Sequence, residues 1–513
     1  MFIRKKPNKS GSISIQIIKK EDRRNVLVTT IGSASDEVEI EKLLVKAREF
    51  IDRQHKQLSL SISDASVDQW FNKAFSQLGK LRFVGGEMIL GRLYDEIGFN
   101  KIDSELFKDL VITRLLNPSS KLKTLRYLEE VKDSEYSIKT VYRYMDRLES
   151  QQKQVVEQIS YQHTVDQVLK ADPSVLFYDV TTIYFEAEKE DELRIAGFSK
   201  EGKHKHPQIL LGLLVSSGGY PMAYEIFEGN KYEGHTMMPV LDTFKQRFGL
   251  KRLVIVADSG LINNDNITQL QNSGYEFIIG ARIKNEAKPI KDQILGLNFD
   301  DGKPKQIAQE GGLKLIVSYS EKRAKKDRIN REKGVERLNK KIKSGKLTKS
   351  HVNNRGYNKF LKMSGNIDVQ LDEEKVIAEK KWDGLKGYLT NLNKDFNQLI
   401  DEYNQLWQIE KAFRISKTEL RIRPIYHRLP KRIRAHICIS FTAYKIFKEL
   451  ERKLKVAESE ITVHRALEVI PQITAITITH PNNKDQKQKI IYHSQTQKQV
   501  FEHIISALGD PMS

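Results

Sequence analysis

The chain has a single cysteine, Cys438, among its 513 residues. One cysteine rules out an intrachain disulfide and a cysteine-rich zinc site. No apolar run approaches the roughly 20 residues that a helix needs to cross a bilayer, and the basic residues 1–20 lack the apolar stretch of a secretory signal. A Gly-rich phosphate loop of the Walker type is also missing, so coupling to ATP is not indicated. We therefore expect a cytoplasmic protein with no membrane contact.

Basic residues exceed acidic ones, 86 to 67, and the excess is concentrated in two segments. Residues 321–362 contain 16 basic and 4 acidic residues, and residues 411–455 contain 14 and 3. Such segments are typical of a surface that binds a polyanion. A Lys-rich helix can also be only a solvated face, which is the alternative for the first segment. The second interleaves its charges with apolar residues, and there we favour contact with DNA.

The periodicity of apolar residues indicates an α/β protein with a mixed sheet flanked by helices. Residues 12–32 alternate like a hairpin, and the pattern is helical from about 65 to 170. The predicted segments are an N-terminal β-hairpin and helix (1–60), a helical DNA-binding region (61–170), the first part of the core (171–284), an inserted, basic, β-containing domain (285–380), the second part of the core with a long helix at 395–418 (381–455), and a C-terminal region of unknown role (456–513).

Within the helical region, residues 137–150 (SIKTVYRYMDRLES) are a candidate recognition helix. Ser137 is a possible N-cap, and Lys139 and Arg143 lie one turn apart on the same side. Any exposed amphipathic helix shows this pattern, so both interpretations stay open.

Two carboxylates interrupt apolar, strand-like runs. Asp179 stands inside VLFYDVTTIYFE, where a buried carboxylate is costly unless it is paired or binds a metal. Asp258 follows LVIVA at the carboxyl end of a predicted strand, where open α/β sheets usually present ligand sites. An Asp before Ser-Gly is also a common turn or cap residue.

A third carboxylate, Glu410, lies midway between Tyr403 and Lys417 at intervals of seven residues. Seven residues are almost two helical turns, so we expect all three side chains on one face of the helix at 395–418.

If the three carboxylates converge, they repel one another and raise their own pKa values unless cations neutralise them. Mg²⁺ prefers oxygen ligands. Two such ions can activate a water or a 3′-hydroxyl and stabilise the leaving oxygen in a displacement at phosphorus. Asp179, Asp258 and Glu410 are therefore predicted to form a metal-dependent site that acts on DNA, with Mn²⁺ able to replace Mg²⁺.

These residues resemble the DDE transposases of bacterial insertion sequences, in particular the group with the signature Tyr-x2-Arg-x3-Glu-x6-Lys. Tyr403, Glu410 and Lys417 stand at its intervals, and the basic stretch ELRIRPIYHRLPKRIRAHI follows. FYDVTTIYFE and VIVADSG are similar to the regions around that group's other two acidic positions. The 152 residues from Asp258 to Glu410 suit its β-rich insertion, and the resemblance covers roughly residues 1–455.

The resemblance implies a ribonuclease-H-like core interrupted by that insertion, with N-terminal helices that bind the terminal inverted repeats. It also implies that the three acids coordinate two Mg²⁺ ions and that Tyr403 and Lys417 hold DNA near the cleavage point. The Arg position of the signature is Leu406 in this chain. Arg414 is a candidate substitute, although an i,i+4 ion pair with Glu410 is the plainer interpretation.

We expect a transposase that cleaves the ends of an insertion sequence and transfers the strands into target DNA. A metal-dependent nuclease without strand transfer and a catalytically inactive DNA-binding protein are the alternatives. The expected partner is double-stranded DNA, both inverted repeats and target, bound by a homodimer in the synaptic complex. The expected DNA-binding residues are Tyr403, Lys417, Arg414, Arg421, Arg423, Lys139 and Arg143.

Overall fold

The structure, a computed structural model, describes residues 1–21, 24–54, 78–186, 189–198, 206–250, 253–261, 263–345, 347–354, 356–364, 368–479 and 486–509. The boundary predicted between residues 60 and 61 lies outside these residues. The chain divides into two compact units, one of residues 1–80 with 476–489 and one of residues 81–475 with 490–513.

The N-terminal unit contains a three-stranded antiparallel sheet in the order β1-β2-β3. Its elements are β1 (Phe2–Pro7), β2 (Ile13–Glu21), β3 (Arg24–Ala34) and α1 (Glu37–Gln54). Ile15 and Ile17 of β2 are fully buried and pack in one cluster with Leu44 and Ala47 of α1. β2 and β3 form the antiparallel pair predicted for residues 12–32, and β1 adds a strand that was not foreseen.

The next region of the chain is mainly helical. It contains β4 (Leu78–Phe83), α2 (Arg92–Ile97), α3 (Glu105–Leu116), α4 (Lys121–Lys132) and α5 (Ile138–His163). The Ser137 side chain caps α5, because its hydroxyl accepts a hydrogen bond from the backbone N–H of Thr140 at 3.0 Å. Val141 and Met145 begin a buried stripe along α5, which runs well past residue 150, where the candidate recognition helix was expected to end.

A nine-stranded sheet forms the centre of the larger unit. Its strands in chain order are β5 (Val175–Tyr184), β6 (Ile195–Ala196), β7 (Pro207–Ser216), β8 (Pro221–Glu228), β9 (Val254–Ala257), β10 (Glu276–Ala281), β11 (Lys305–Ala308), β12 (Lys314–Tyr319) and β15 (Leu385–Thr390). Between β12 and β15 in the chain, β13 (Leu361–Ser364) and β14 (Asp368–Leu371) pair with each other in a separate sheet.

The strand order is β11-β12-β15-β10-β9-β5-β7-β6, and β8 also pairs with β7. β9 pairs in parallel with both β5 and β10, whereas the other pairs are antiparallel, so the predicted mixed sheet is confirmed. Parallel neighbours need a crossover connection, and α7 (Asn264–Asn272) supplies it between β9 and β10. α6 (Met237–Phe248) precedes β9. The β7–β8 hairpin turns through Gly218 and Gly219, both with positive φ.

Part of the segment predicted as an insertion belongs to this sheet. β12 pairs with β15 from Lys314–Thr390 to Tyr319–Leu385, and β11 extends the same edge. The helices of the segment are α8 (Lys288–Gly296), α9 (Glu321–Lys343) and α10 (Glu373–Lys380). Residues 285–380 therefore widen the central sheet in addition to carrying the long basic helix α9.

Three further helices follow β15: α11 (Phe396–Asn404), α12 (Trp407–Thr418) and α13 (Pro430–Val456). α13 packs against α5, α3 and α12, and most of its length is buried. Lys445 and Lys448 are only 0% and 4% exposed. The prediction that the basic segment 411–455 contacts DNA is wrong for these two lysines, because the apolar residues around them draw the helix into the core.

The C-terminal elements are α14 (Val463–Val469), β16 (Thr474–Thr479), β17 (Gln486–Ile491) and α15 (Gln495–Leu508). β17, β16 and β4 form a three-stranded sheet in that order. Across the described ranges, no helix combines the length and apolar character that crossing a membrane requires.

Lys445 shows how a cation is accommodated in this core. Its ammonium donates to the carbonyl of Ser160 at 3.0 Å and to the hydroxyl of Thr164. Burial lowers the pKa of Lys445 to about 7, the charge of Glu449 opposes this shift, and Arg452 adds to it. The loss of hydration therefore outweighs the attraction of the carboxylate.

We predict that wild type gains stability relative to Lys445→Met as the pH rises from about 7 to 9. The folded amine releases its proton above a pKa of about 7, whereas the unfolded chain holds it up to 10.5, so the burial penalty is full below pH 7 and fades above it. The expected gain is about 2 kcal/mol, since one pH unit corresponds to about 1.4 kcal/mol. Unfolding midpoints across this pH range measure it, and parallel profiles for the two proteins would contradict the prediction.

Candidate active site

The two aspartates follow a matched pair of residues on neighbouring parallel strands. β5 and β9 pair from Val175–Val254 to Tyr178–Ala257, so Asp179 and Asp258 are the next residues along the two strands. Asp179 is half-buried, and Asp258 is exposed directly after the last residue of β9. The strands thus bring together two carboxylates that are 79 positions apart in the sequence.

Each aspartate also accepts a hydrogen bond from the N–H of the residue that follows it. The distances are 2.8 Å from Val180 to Asp179 and 2.6 Å from Ser259 to Asp258. Asp258 therefore does have the turn role considered for it, and it also lies beside Asp179 on the neighbouring strand.

Glu410 reaches the same neighbourhood from a helix. It is exposed in the first turn of α12, which packs against β5. The charges of both Glu410 and Asp258 act on Lys386 of β15, whose pKa is lowered mainly by burial and further by the charge of Arg323. The two carboxylates oppose this shift. The charges of Asp258 and Glu410 therefore reach one cation, although the two residues are 152 positions apart in the chain.

Tyr403 joins this group. Its side chain is 5% exposed, its hydroxyl is hydrogen-bonded to Asp258, and its ring meets Tyr388 edge to face at 4.9 Å between centroids. The Lys386 ammonium lies 4.4 Å from the centre of the Tyr403 ring, a cation–π contact. Burial raises the pKa of Tyr403, and the charge of Asp258 adds to the shift, so the phenol stays protonated and donates to the carboxylate.

The expectation that one helix carries Tyr403, Glu410 and Lys417 is wrong. Tyr403 lies on α11 and the other two on α12, with a break at 405–406. At this break the backbone forms a tight turn, in which the N–H of Leu406 donates to the carbonyl of Tyr403, three residues earlier, at 2.9 Å. Tyr403 and Glu410 nevertheless both act on Lys386, whereas Lys417 is half-buried in the last turn of α12.

Leu406, at the Arg position of the signature, is a core residue. It is 7% exposed and belongs to one apolar cluster with Ile409 and Phe413. Arg414, the candidate substitute, is exposed and lines a cleft of about 620 Å³ together with Glu419. The function of Arg414 in DNA binding stays a prediction.

The other basic residues singled out in the sequence lie elsewhere on the larger unit. Lys139 and Arg143 are exposed in the first two turns of α5. Arg421 and Arg423 follow α12 and line a cavity with Arg114 and Lys121.

Lys386 and Arg323 were missed in the sequence. Lys386 interrupts the strand-like run LKGYLT much as Asp179 interrupts its own strand, and that interruption could have identified it. Arg323 is one of many cations in α9, and only the fold distinguishes it.

The carboxylates suit an oxygen-liganded ion in their chemistry but not in their present spacing. In the part of the chain that the structure describes, no three His, Cys, Asp or Glu side chains are grouped closely enough to hold a metal. The site consists of two aspartates on neighbouring strands and a glutamate whose charge, like that of Asp258, acts on Lys386.

The comparison with protein families agrees with the resemblance to DDE transposases. Residues 170–446, more than half of the chain, match the family model of the transposase DDE domain. No curated protein matches. A synaptic complex of piggyBac transposase with hairpin DNA is 9% identical, with a TM-score of 0.38, over 83% of this chain and 80% of that one. A Mos1 transposase paired-end complex is 14% identical, with a TM-score of 0.16, over 47% and 74%.

Gly280 provides a test of the packing around Tyr403. A Cβ atom at position 280 would lie 2.4 Å from the Tyr403 hydroxyl oxygen and 3.2 Å from the ring carbon that bears it. Gly280→Ala should therefore cost about 1–3 kcal/mol, as overpacked core positions do. Tyr403→Phe removes the nearest atom, so the same alanine should cost less in that background. Denaturant unfolding of the four proteins measures the coupling, and additive costs would show that the two residues do not meet.

Leu406 provides a second test. Leu406→Arg, which recreates the residue of the signature, should destabilise the protein by several kcal/mol, because it buries a charge with no carboxylate in its apolar cluster. Leu406→Met keeps the volume and should cost less than about 1.5 kcal/mol. Unfolding midpoints in denaturant compare the two, and an arginine variant as stable as the methionine variant would contradict the buried position.

Proposed function

Because the chain belongs to the family of the transposase DDE domain, we propose that it cuts DNA at the ends of a bacterial insertion sequence and joins the freed ends to target DNA. The observation that carries the proposal is that the charges of Asp258 and Glu410 both act on Lys386 and on Tyr403, with Asp179 on the strand beside Asp258. The mixed sheet flanked by helices is consistent with the ribonuclease-H-like core that we propose for this activity.

Asp179, Asp258 and Glu410 are the residues that would hold two Mg²⁺ ions, or Mn²⁺ in their place, once they move closer together than they lie in this structure. Such ions polarise the phosphoryl oxygens and lower the pKa of a bound water. Lys386 offsets the negative charge of Asp258 and Glu410, and the Tyr403 hydroxyl holds Asp258 in one orientation.

Cleavage is the displacement of a 3′ oxygen from phosphorus by the oxygen of a water, which leaves a 3′-hydroxyl and a 5′-phosphate. Joining repeats the displacement with the freed 3′-hydroxyl as nucleophile and a target phosphodiester as substrate. Both steps need the same carboxylates.

DNA binding is assigned to cations on the surface of the larger unit. Lys139, Arg143, Arg414 and Arg421 are exposed and can reach phosphates, and Lys417 is half-buried in the last turn of α12. We assign Lys139 and Arg143 to the terminal inverted repeats. Tyr403 is 5% exposed, so its part in DNA binding requires that the site open around it.

The acidic residues generate the main prediction. Asp179→Asn, Asp258→Asn and Glu410→Gln should each lower Mg²⁺-dependent cleavage of a labelled duplex carrying the inverted repeat by a hundredfold or more. Changes in the outer shell of a metal site already cost about 10–100-fold. Asp265→Asn, an exposed acid on α7, is the matched control and should cleave like wild type. EDTA should abolish all cleavage, and an Asp258→Asn protein that cuts at the wild-type rate would remove the site from consideration.

A nuclease without strand transfer is the first alternative. Ends supplied with a pre-cut 3′-hydroxyl separate the two activities, because joining then needs no prior cleavage. We predict that wild type joins them to a plasmid in the presence of Mg²⁺ and that Glu410→Gln does not. Cleavage of intact ends combined with no joining of pre-cut ends would identify a nuclease.

A catalytically inactive DNA-binding protein is the second alternative. It would bind the repeat tightly and leave it uncut in every metal tested. We also propose that two copies of the chain assemble on paired ends, and light scattering of the DNA complex would reveal a single copy if they do not.

A further inference from the structure

A cavity of about 550 Å³ lies apart from the carboxylates, among the end of α3, the start of α4 and the segment that follows α12. Its cationic wall residues are Arg114, Lys121, Lys123, Arg421 and Arg423. Among the described residues that line it, none is an Asp or Glu. No acid in the described wall of the cavity offsets the charges of Arg114 and Lys121, so the potential there is positive.

Two of these cations are buried. Arg114 and Lys121 are each 5% exposed. Burial lowers the pKa of Arg114 to about 10, and it lowers that of Lys121 well below its usual value, with the charge of Arg114 as the second cause. Within the described residues, Lys121 has neither an ion pair nor a hydrogen-bond acceptor. Burying such a charge is costly unless something compensates it.

Arg114 is held by a neutral histidine and not by a carboxylate. Its Nη2 lies 3.3 Å from Nδ1 of His436, and Nε2 of His436 lies 3.0 Å from the carbonyl oxygen of Ile422. A carbonyl can only accept, so the His436 proton is on Nε2, and Nδ1 accepts from the guanidinium. Burial lowers the pKa of His436 well below its usual value, so this contact orients Arg114 without neutralising it.

The first turn of α4 forms another wall of the cavity. Ser120 caps this 12-residue helix, accepting from the N–H of Lys123 at 3.4 Å, so the positive end of the helix dipole lies here. The hydroxyl of Ser119 is buried in the same wall without a hydrogen-bond partner among the described residues. A helix N-terminus with nearby cations and an unused hydroxyl is suited to a phosphate.

The cavity is also linked to the candidate active site. Arg421 and Arg423 follow α12, the helix that carries Glu410. The guanidinium of Arg423 lies 5.4 Å from the ring of Tyr184, the last residue of β5, which carries Asp179. α12 and β5 therefore each carry a carboxylate of the candidate active site and lead into, or contact, a residue that lines the cavity.

We infer that this cavity is a phosphate-binding site that receives a backbone phosphodiester of the DNA substrate. The inference rests on the proposed function for the identity of the ligand, but the phosphate chemistry follows from the cavity alone. Lys121 and Arg114 supply the charge, and the first turn of α4 supplies backbone N–H donors.

The first test concerns phosphate itself. Inorganic phosphate should raise the unfolding midpoint of wild type above its value in sodium chloride of the same ionic strength. Lys121→Met should be at least as stable as wild type in chloride, because it removes an unpaired buried charge, and it should lose the gain from phosphate. Arg126→Gln removes an exposed charge from the same helix outside the cavity and should keep that gain. Equal gains in all three proteins would overturn the site.

The second test identifies DNA as the source of the phosphate. Without divalent metal, Lys121→Met should lower the affinity for duplexes of any sequence alike, and the slope of log affinity against log salt concentration should fall by about one. Arg126→Gln should retain the wild-type slope. A slope unchanged in Lys121→Met, with the phosphate gain lost, would overturn the DNA assignment and identify a site for a free anion.

These readouts are independent of cleavage, so the two proposals can fail separately. If wild type cuts DNA and Lys121→Met binds it like wild type, the cavity assignment fails and the function stands. If no protein cuts DNA but Lys121→Met alone loses affinity, the cavity assignment stands and the function fails.

Discussion

The parallel pairing of β5 with β9 is the constraint on which the candidate site depends. Leu176 and Phe177 on one strand and Ile255 and Val256 on the other are fully buried, so the ladder is held by apolar packing as well as by hydrogen bonds. Successive side chains of a strand point to opposite faces, so a slip of one residue would turn the aspartate of β5 away from its present face. β9 also pairs with β10, and β10 places Gly280 beneath the Tyr403 hydroxyl.

The cations of the chain fall into classes that net charge does not distinguish. Lys445 is buried and satisfied by a carbonyl and a hydroxyl, and Lys386 faces two carboxylates. Arg114 and Lys121 line a cavity whose described lining residues include no Asp or Glu. Of these three arrangements, only the last needs an anion from outside the protein. This conclusion depends on the partners of each cation and not on the number of cations in the chain.

The seven-residue spacing of Tyr403 and Glu410 singled out two residues that both act on Lys386, but the single helix inferred from it is wrong. A continuous helix would place them on one face, whereas the tight turn at 405–406 separates α11 from α12. Packing brings them back together, because Tyr403 is anchored between β10 and β15 while α12 lies on β5. The same turn puts Leu406 into the core, where an arginine would have no partner.

The sequence by itself determined the features that depend on neighbours along the chain. The strands around Asp179 and Asp258, the β7–β8 hairpin with its two glycines and the Ser137 cap of α5 follow from periodicity, turn chemistry and capping, which act over a few residues. The tertiary structure alone decided that Arg323 acts on Lys386, that β11 and β12 extend the central sheet, and that Lys445 is buried. It also decided that residues near 120 and near 422 enclose one cavity. These outcomes depend on contacts between distant segments, and such contacts leave no local periodic pattern from which they could have been predicted.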